Sequence, residues 1–172
     1  EKRYTCNGSF TTAETPRGLI DNLLTSLAGT IWNAQGKWRL KAAAYTTPLV
    51  AFTEDDLRSS IKISTRHSRR NNFNTVKGIF RGAETNFTPS DYPQVTSTAF
   101  KTVDGGDEST IDFNLPFTNT STTAQRIAKI ALYRNREQLS VSATFGLRAF
   151  QVQVGDLVKL TNTRAGWSEK IF

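Results

Sequence analysis

The sequence predicts an α+β fold of two small subdomains: antiparallel β-sheets, or a small β-barrel, with two main helices at about 15–29 and 120–137. Three observations predict it. Two segments space their apolar residues by three and four, the period of a one-sided helix. Most other segments are short runs of β-branched and aromatic residues broken by Gly, Asn and Asp turn pairs. Of 172 residues, 37% are hydrophobic and 22% charged, the balance of a chain that buries a core rather than staying disordered.

In chain order, RYTCNGSF (3–10) alternates loosely and predicts a short strand closing on the Asn7-Gly8 turn pair. TPRGLIDNLLTSLAG (15–29) predicts the first helix. Thr15 can cap it, Pro16 suits its first position and Gly29 its exit. Leu19, Ile20, Leu23, Leu24 and Leu27 form one apolar face. TIWNAQGKWRLKAAAY (30–45) predicts a β-hairpin about NAQGK, with Trp32 and Trp38 placed to pair across the strands. Beside Lys37 and Arg39 these rings can also stack on a sugar or a base, but the cross-strand pair is the simpler reading. FTEDDL (52–57) predicts a single capped turn, with Thr53 as cap and Glu54, Asp55 and Asp56 at its positive end. IKISTR (61–66) predicts a strand with Ile61 and Ile63 on one face.

NTVKGIFRG (74–82) predicts another strand, in which Gly78 marks a bulge or a close backbone approach. ETNFTPSDYPQVTST (84–98) holds two prolines and little periodicity, and predicts a long loop. AFKTV and TIDFNLPF flank DGGDES, which predicts a turn. TNTSTTAQRIAKIALYRNREQL (118–139) carries the clearest helix, capped by Ser or Thr at 120–122. Its apolar stripe is Ala124, Ile127, Ala128, Ala131 and Leu132, with Arg126, Lys129, Arg134 and Arg136 mostly outside. LSVSATFGLRAFQVQVGDLVKLTN (139–162) is strand-rich, with a tight turn at Gly155-Asp156. The subdomains divide at residue 66: residues 1–66 read as helix plus hairpin, and 67–172 as mainly β with one long helix.

The net charge of +7 favours an anionic partner such as nucleic acid, lipopolysaccharide or an acidic protein face. Cys6 is the only cysteine, so no internal disulfide or zinc cluster can be built from it. No stretch approaches the roughly 20 apolar residues of a membrane span, and no signal-peptide run is present. The absence of Met, and an ending on the apolar WSEKIF, predict a segment of a longer chain.

Tests for chemistry return little. There is no G-x-S-x-G elbow, and His67 is the only histidine available as a base. Arg66, Arg69 and Arg70 would disfavour its protonated form. DGGDES lacks the lysine of a phosphate loop. Glu108 and Asp112 are no better a glycosidase pair than any other two carboxylates. Glu54, Asp55 and Asp56 point different ways as neighbours in sequence, so they cap a turn rather than hold a metal. The expectation is a non-enzyme with no catalytic residues, metal or cofactor.

STRHSRRNNFNTV (64–76) is the stretch that most invites a function. Arg66, Arg69 and Arg70 cluster, with Phe73 and Phe80 following, which suits a nucleic-acid patch. A charged strand entry beside a subunit interface explains them equally well. Arg66, Arg69, Arg70, Asn74 and Lys77 are therefore the candidate subunit-interface or anion-contact residues.

A series of stretches in order carries a resemblance. They are YTCNG, GKWRLKAAAY, FTEDDL, SRRNNFNTVKGIF, DYPQVTS, FNLPF, TAQRIAKIAL, FQVQVGDLVKLTN and GWSEKIF, from residue 4 to the end. With them the chain resembles the central hub region of the tip attachment (host specificity) protein J family of lambda-like phage tails. The resemblance implies a structural segment at the distal end of the tail tube, in the virion, assembled in the bacterial cytoplasm. It implies a homotrimer with neighbouring tail-tip proteins as partners, support of host attachment, and passage of DNA, with lumen contacts to phage DNA an open option. It places host-receptor contacts mainly outside this segment. It also implies that the arginines of 66–70 are structural or inter-subunit contacts, where the guanidinium fork binds carboxylates or carbonyls in fixed geometry. Asn74 would then satisfy backbone groups at the strand entry, with Phe73 packed beneath. The rival readings are a module binding nucleic acid or anionic glycan, and a cell-wall hydrolase.

Overall fold

The computed structural model describes residues 3–66 and 68–172, and all but the side chain of Arg69 among them. The elements run α1 (Pro16–Thr25), β1 (Thr30–Ala34), β2 (Lys37–Lys41), β3 (Val50–Phe52), β4 (Lys62–Ser64), β5 (Thr75–Lys77), β6 (Ile79–Arg81), β7 (Pro89–Asp91), β8 (Val95–Thr96), α2 (Thr98–Val103), β9 (Thr110–Asp112), α3 (Ser121–Arg136), β10 (Ser140–Ser142), β11 (Val158–Asn162) and β12 (Trp167–Ile171). Single 3₁₀ turns lie at Glu54–Asp56, Arg69–Asn71, Ala83–Thr85 and Leu147–Gln151. The fold is α+β, as the periodicities require.

The chain forms two compact units. One comprises Glu1–Ala43 and His67–Glu137, the other Ala44–Arg66 and Gln138–Phe172. The sequence reading put 1–66 in one subdomain and 67–172 in the other; each unit draws on both of those spans.

In the first unit, α3 lays Ala124, Ile127, Ala128 and Leu132 against Val76, Tyr92 and Leu115, all nearly or fully buried. Spacings of three, four and eight put those helix residues on one stripe. β5 is the centre of a three-stranded sheet, antiparallel to β8 and parallel to β9. β6 and β7 form a separate antiparallel pair. Gly78 divides β5 from β6. Its φ is +155°, and a Cβ there would lie 2.3 Å from the Phe113 carbonyl oxygen, so the close backbone approach expected at this glycine is real.

α1 is capped by Thr15, whose hydroxyl accepts from Gly18 N–H at 3.3 Å, and Pro16 opens it. It ends four residues before Gly29, with Ala28 taking the left-handed conformation at φ +47°. β1 and β2 pair through Gln35-Gly36, both at positive φ as a two-residue type I′ turn demands. The register sets Trp32 opposite Arg39 and Trp38 opposite Asn33, so the two tryptophans do not pair. The strands' pleat puts residues one register step apart on opposite faces.

The second unit packs Val50, Phe52 and Leu160 with Phe145, Val141 and Trp167 around them. β11 is central, parallel to β3 and antiparallel to β12, with a register shift between Leu160 and Asn162. β4 pairs with β10. The expected cap at Thr53 is present: its N–H donates to Asp56 Oδ2 at 3.0 Å, and Arg148 reaches the same oxygen at 3.2 Å. The tight turn at Gly155-Asp156 is closed by Gln153 N–H donating to Asp156 Oδ2 at 2.8 Å.

Several expectations change. Among the described residues five small sheets form and none closes into a barrel. Two or three short strands each cannot supply the continuous stagger a barrel needs. Residues 3–10 form no strand; instead Asn7 N–H donates to Phe117 O and the Tyr4 hydroxyl to Ala43 O. The stretch 84–98 is not a structureless loop, since it contains β7 and β8. A third helix, α2, follows it, started by the Ser97 hydroxyl accepting from Phe100 N–H.

Candidate functional site

The five candidate residues separate by depth. Arg66 and Arg70 are exposed, and Arg70 lies in the Arg69–Asn71 turn. His67, weighed as a base, lies outside the described residues, as does the side chain of Arg69. Lys77 is exposed on β5 and faces Asp112 of β9 at 3.9 Å, each more than half exposed. Such a pair contributes little to stability.

Asn74 is fully buried. Its Nδ2 donates to Asp104 Oδ2 at 2.9 Å and to the Asp107 carbonyl at 2.8 Å. Its Oδ1 accepts from Ser109 N–H at 3.0 Å and from the Thr75 hydroxyl at 3.4 Å. Two donor hydrogens and two lone pairs are thereby used, so this amide has nothing left for a ligand. It joins the entry of β5 to the turn that follows α2.

The same knot contains three residues that the sequence reading did not single out for it, Asp104, Asn135 and Arg136. Arg136, in the last turn of α3, forks onto both carboxylate oxygens of Asp104 and donates to the Phe73 carbonyl at 2.9 Å and 3.2 Å. Both side chains are largely buried, and the Asp104 hydrogen bond raises the Arg136 pKa further. The guanidinium also lies 4.9 Å from the Phe100 ring centroid. Asn135 completes the tie, accepting from Phe73 N–H at 3.2 Å and donating to Asn71 O at 2.8 Å. No local spacing signals this: Asp104 and Arg136 are 32 residues apart. The segment RRNNFN (69–74) is thus fixed from below by α3 and the α2–β9 turn, and its Arg70 is exposed.

Two further surfaces stand out. In the first unit an open groove of about 740 Å³ runs between α1 and the β1–β2 hairpin, lined by Ile20, Leu24, Ile31 and Trp38 among others. In the second, Leu147 and Phe150 are 82% and 86% exposed. They sit three apart on a 3₁₀ turn, where side chains at that spacing eclipse, so they form one apolar ridge. Among the described residues no three or more His, Cys, Asp or Glu side chains are grouped to hold a metal ion, and no helix is long and apolar enough to cross a membrane.

The arrangement holds residues 71–74 in place through Asp104, Asn135 and Arg136. Residues 15–170 match the model of a family described as "Putative phage tail protein". Among solved structures, the chain is similar to one from the virion of a native gene transfer agent particle. That likeness has a TM-score of 0.74 at 14% identity, over 95% of this chain and 36% of that one. A 43 kDa tail protein of prophage MuSo2 from Shewanella oneidensis matches with a TM-score of 0.52 at 18% identity, over 94% of this chain and 47% of that one. This chain thus spans less than half the length of either. No curated protein matches it significantly.

Proposed function

Since this chain belongs to the phage tail protein family that residues 15–170 match, we propose that it is a hub segment at the distal tip of the tail, of the kind found in host specificity protein J. On this reading it resides in the virion and works without catalysis. Copies assemble, as a trimer, with neighbouring tail-tip proteins. The ring supports host attachment and lets DNA pass, while receptor contacts are made by other parts of the tail. The family match is the observation that carries the reading. The exposed apolar side chains of both units, Trp38 and Leu40 in one and Leu147 and Phe150 in the other, support it, because isolated soluble domains rarely leave such residues uncovered in groups.

Light scattering on a chain extended to the length of its structural relatives tests the assembly; a trimer is expected, and a monomer at high concentration removes it. Immunogold labelling of virions tests the place, and label along the tail shaft rather than its end removes the hub.

A second reading has its own support in the exposed Arg66 and Arg70 of a chain with net charge +7. It makes the segment a contact for nucleic acid or anionic glycan. Binding to duplex DNA that falls steeply with salt and is lost in the Arg66→Ala, Arg70→Ala double variant is its signature.

A further inference from the structure

One cavity of the first unit brings together side chains that the fold itself does not use. It has a volume of about 370 Å³ and is lined by Asn7, Gly8, Ser9, Arg81 and Phe87. That is the small end of the range for small-molecule sites, room for one ring and its substituents. Arg81, on β6, is exposed, and its register partner is Pro89, which offers no charge. Among the described residues the Arg81 guanidinium has no ion-pair or hydrogen-bond partner, and neither has the Asn7 amide or the Ser9 hydroxyl.

Phe87 supplies a second, independent observation. Its φ is +60° and that of Asn86 is +51°, so two successive residues with side chains take the left-handed region, where a bulky one is strained. The loop enforces this. Phe87 N–H donates to Gly82 O at 2.9 Å, and the Thr85 hydroxyl reaches Gly82 O at 3.2 Å and Thr88 O at 3.1 Å. The strain gains the chain little packing in return, since Phe87 is 55% exposed. Across the cavity, residues 7–9 are pinned too. Asn7 N–H donates to Phe117 O at 3.0 Å, and a Cβ on Gly8 would lie 2.6 Å from the Phe117 ring. Both walls are therefore fixed before a ligand arrives, which lowers the cost of binding one.

We propose that this cavity binds an acidic sugar, a pyranose bearing one carboxylate. Each lining group matches one part of it. The Arg81 fork takes the carboxylate in two parallel hydrogen bonds. The exposed face of Phe87 receives the C–H face of the ring. The Asn7 amide and Ser9 hydroxyl both donate and accept, as sugar hydroxyls do. Charge argues against a nucleic acid strand here: Arg81 is the one cation in the lining, and the loop 82–88 adds Glu84 and no cation. A run of phosphates needs a continuous basic track. The inference is independent of the assembly reading and of Arg66 and Arg70, neither of which lines this cavity.

The experiment is an amide chemical-shift titration of the 172-residue chain with glucuronate, and in parallel with glucose, acetate and thymidine monophosphate. Glucuronate is expected to shift the Gly8, Ser9, Arg81 and Phe87 amides and to saturate in the millimolar range. Glucose and acetate each lack one half of the ligand and are expected to bind at least about tenfold more weakly. Arg81→Gln is expected to cost at least about tenfold in glucuronate affinity, with the spectrum otherwise native. Phe87→Gly separates binding from folding. Glycine takes φ +60° without strain, so this variant is expected to melt no lower than wild type. Its glucuronate affinity is expected to fall at least about tenfold, because the ring is gone. No saturating shift at these amides overturns the proposal. Acetate binding as well as glucuronate also overturns it, since any small anion then suffices. Thymidine monophosphate binding more tightly than glucuronate reassigns the cavity to nucleic acid and overturns it too. A Phe87→Gly chain that melts well below wild type places the ring in the chain's own packing and removes its part in the site.

Discussion

Asn74 converts a loop into a fixed strand entry. Its four hydrogen bonds replace those that the β5 entry, the Asp107 carbonyl and Ser109 N–H would otherwise make with water. Asn74→Ala leaves several of these groups buried and unpaired, at about 1–3 kcal/mol each. Urea denaturation is expected to show a loss of at least about 2 kcal/mol, and Asn74→Asp a larger one, because it sets a second carboxylate against Asp104. Tyr92 offers a pH-dependent counterpart. It is almost fully buried and its hydroxyl donates to Phe113 O at 3.0 Å. Burial first, and the charge of Asp112 second, push its pKa up to about 12. A raised acid pKa means the folded state prefers the neutral phenol. Its contribution is whole below the ordinary value of about 10 and is lost as pH rises through 12. Ultraviolet titration near 295 nm is expected to show one of the four tyrosines ionising last, and Tyr92→Phe is expected to remove that late step.

At the scale of elements, what could be read from the sequence was whatever a local rule decides. Pro16 behind Thr15, the stripe Ala124-Ile127-Ala128-Leu132, Gln35-Gly36 and the Thr53–Asp56 cap each need only neighbours within four residues, and each is in place. The misses needed distant ones. β7 and β8 have three and two residues and exist because β6 and β5 offer free edges. Residues 3–10 show alternation but find no such edge. Likewise Asn74 was legible as a strand-entry polar residue, whereas Arg136 and Asp104 were not, since their pairing is tertiary. Gly78 lies between the two cases: its peculiarity was visible, its partner Phe113 was not. Gly78→Ala is expected to destabilise by at least about 2 kcal/mol, because φ +155° and a 2.3 Å approach to a backbone oxygen cannot both be relieved. Gly36→Asn, where an added Cβ meets nothing and the turn tolerates Asn, is expected to stay within about 0.5 kcal/mol of wild type. Thermal melts of the pair separate a steric requirement from a conformational one.

For the whole molecule, the interleaving of segments decides what can fold alone. The second unit pairs β3 with β11 and β4 with β10, and its core joins Val50 and Phe52 to Leu160. Each partner set lies on opposite sides of residues 67–137, which the first unit occupies. The first unit's core residues, from Val76 to Leu132, all lie within one continuous segment, with Tyr4 and Ala28 added from the N-terminal part. Cutting between 66 and 67 therefore has unequal effects. Residues 67–172 keep nearly the entire core of the first unit but lose β3 and β4, so β10 has no partner and β11 keeps only its hairpin with β12, marginal on its own. Residues 1–66 keep α1 and a hairpin, and a two-stranded hairpin without a covering core is at best marginal in water. Expressed separately, 67–172 is expected to retain slow amide exchange in α3 and β5 and to lose it in β11, while 1–66 exchanges throughout. Mixing the two fragments is expected to recover protection at β11, because the parallel β3 pairing is then available again. If 67–172 alone protects β11, the pairing with β3 is not what holds the second unit together, and a division of the chain at residue 66 describes its folding better than the two interleaved units do.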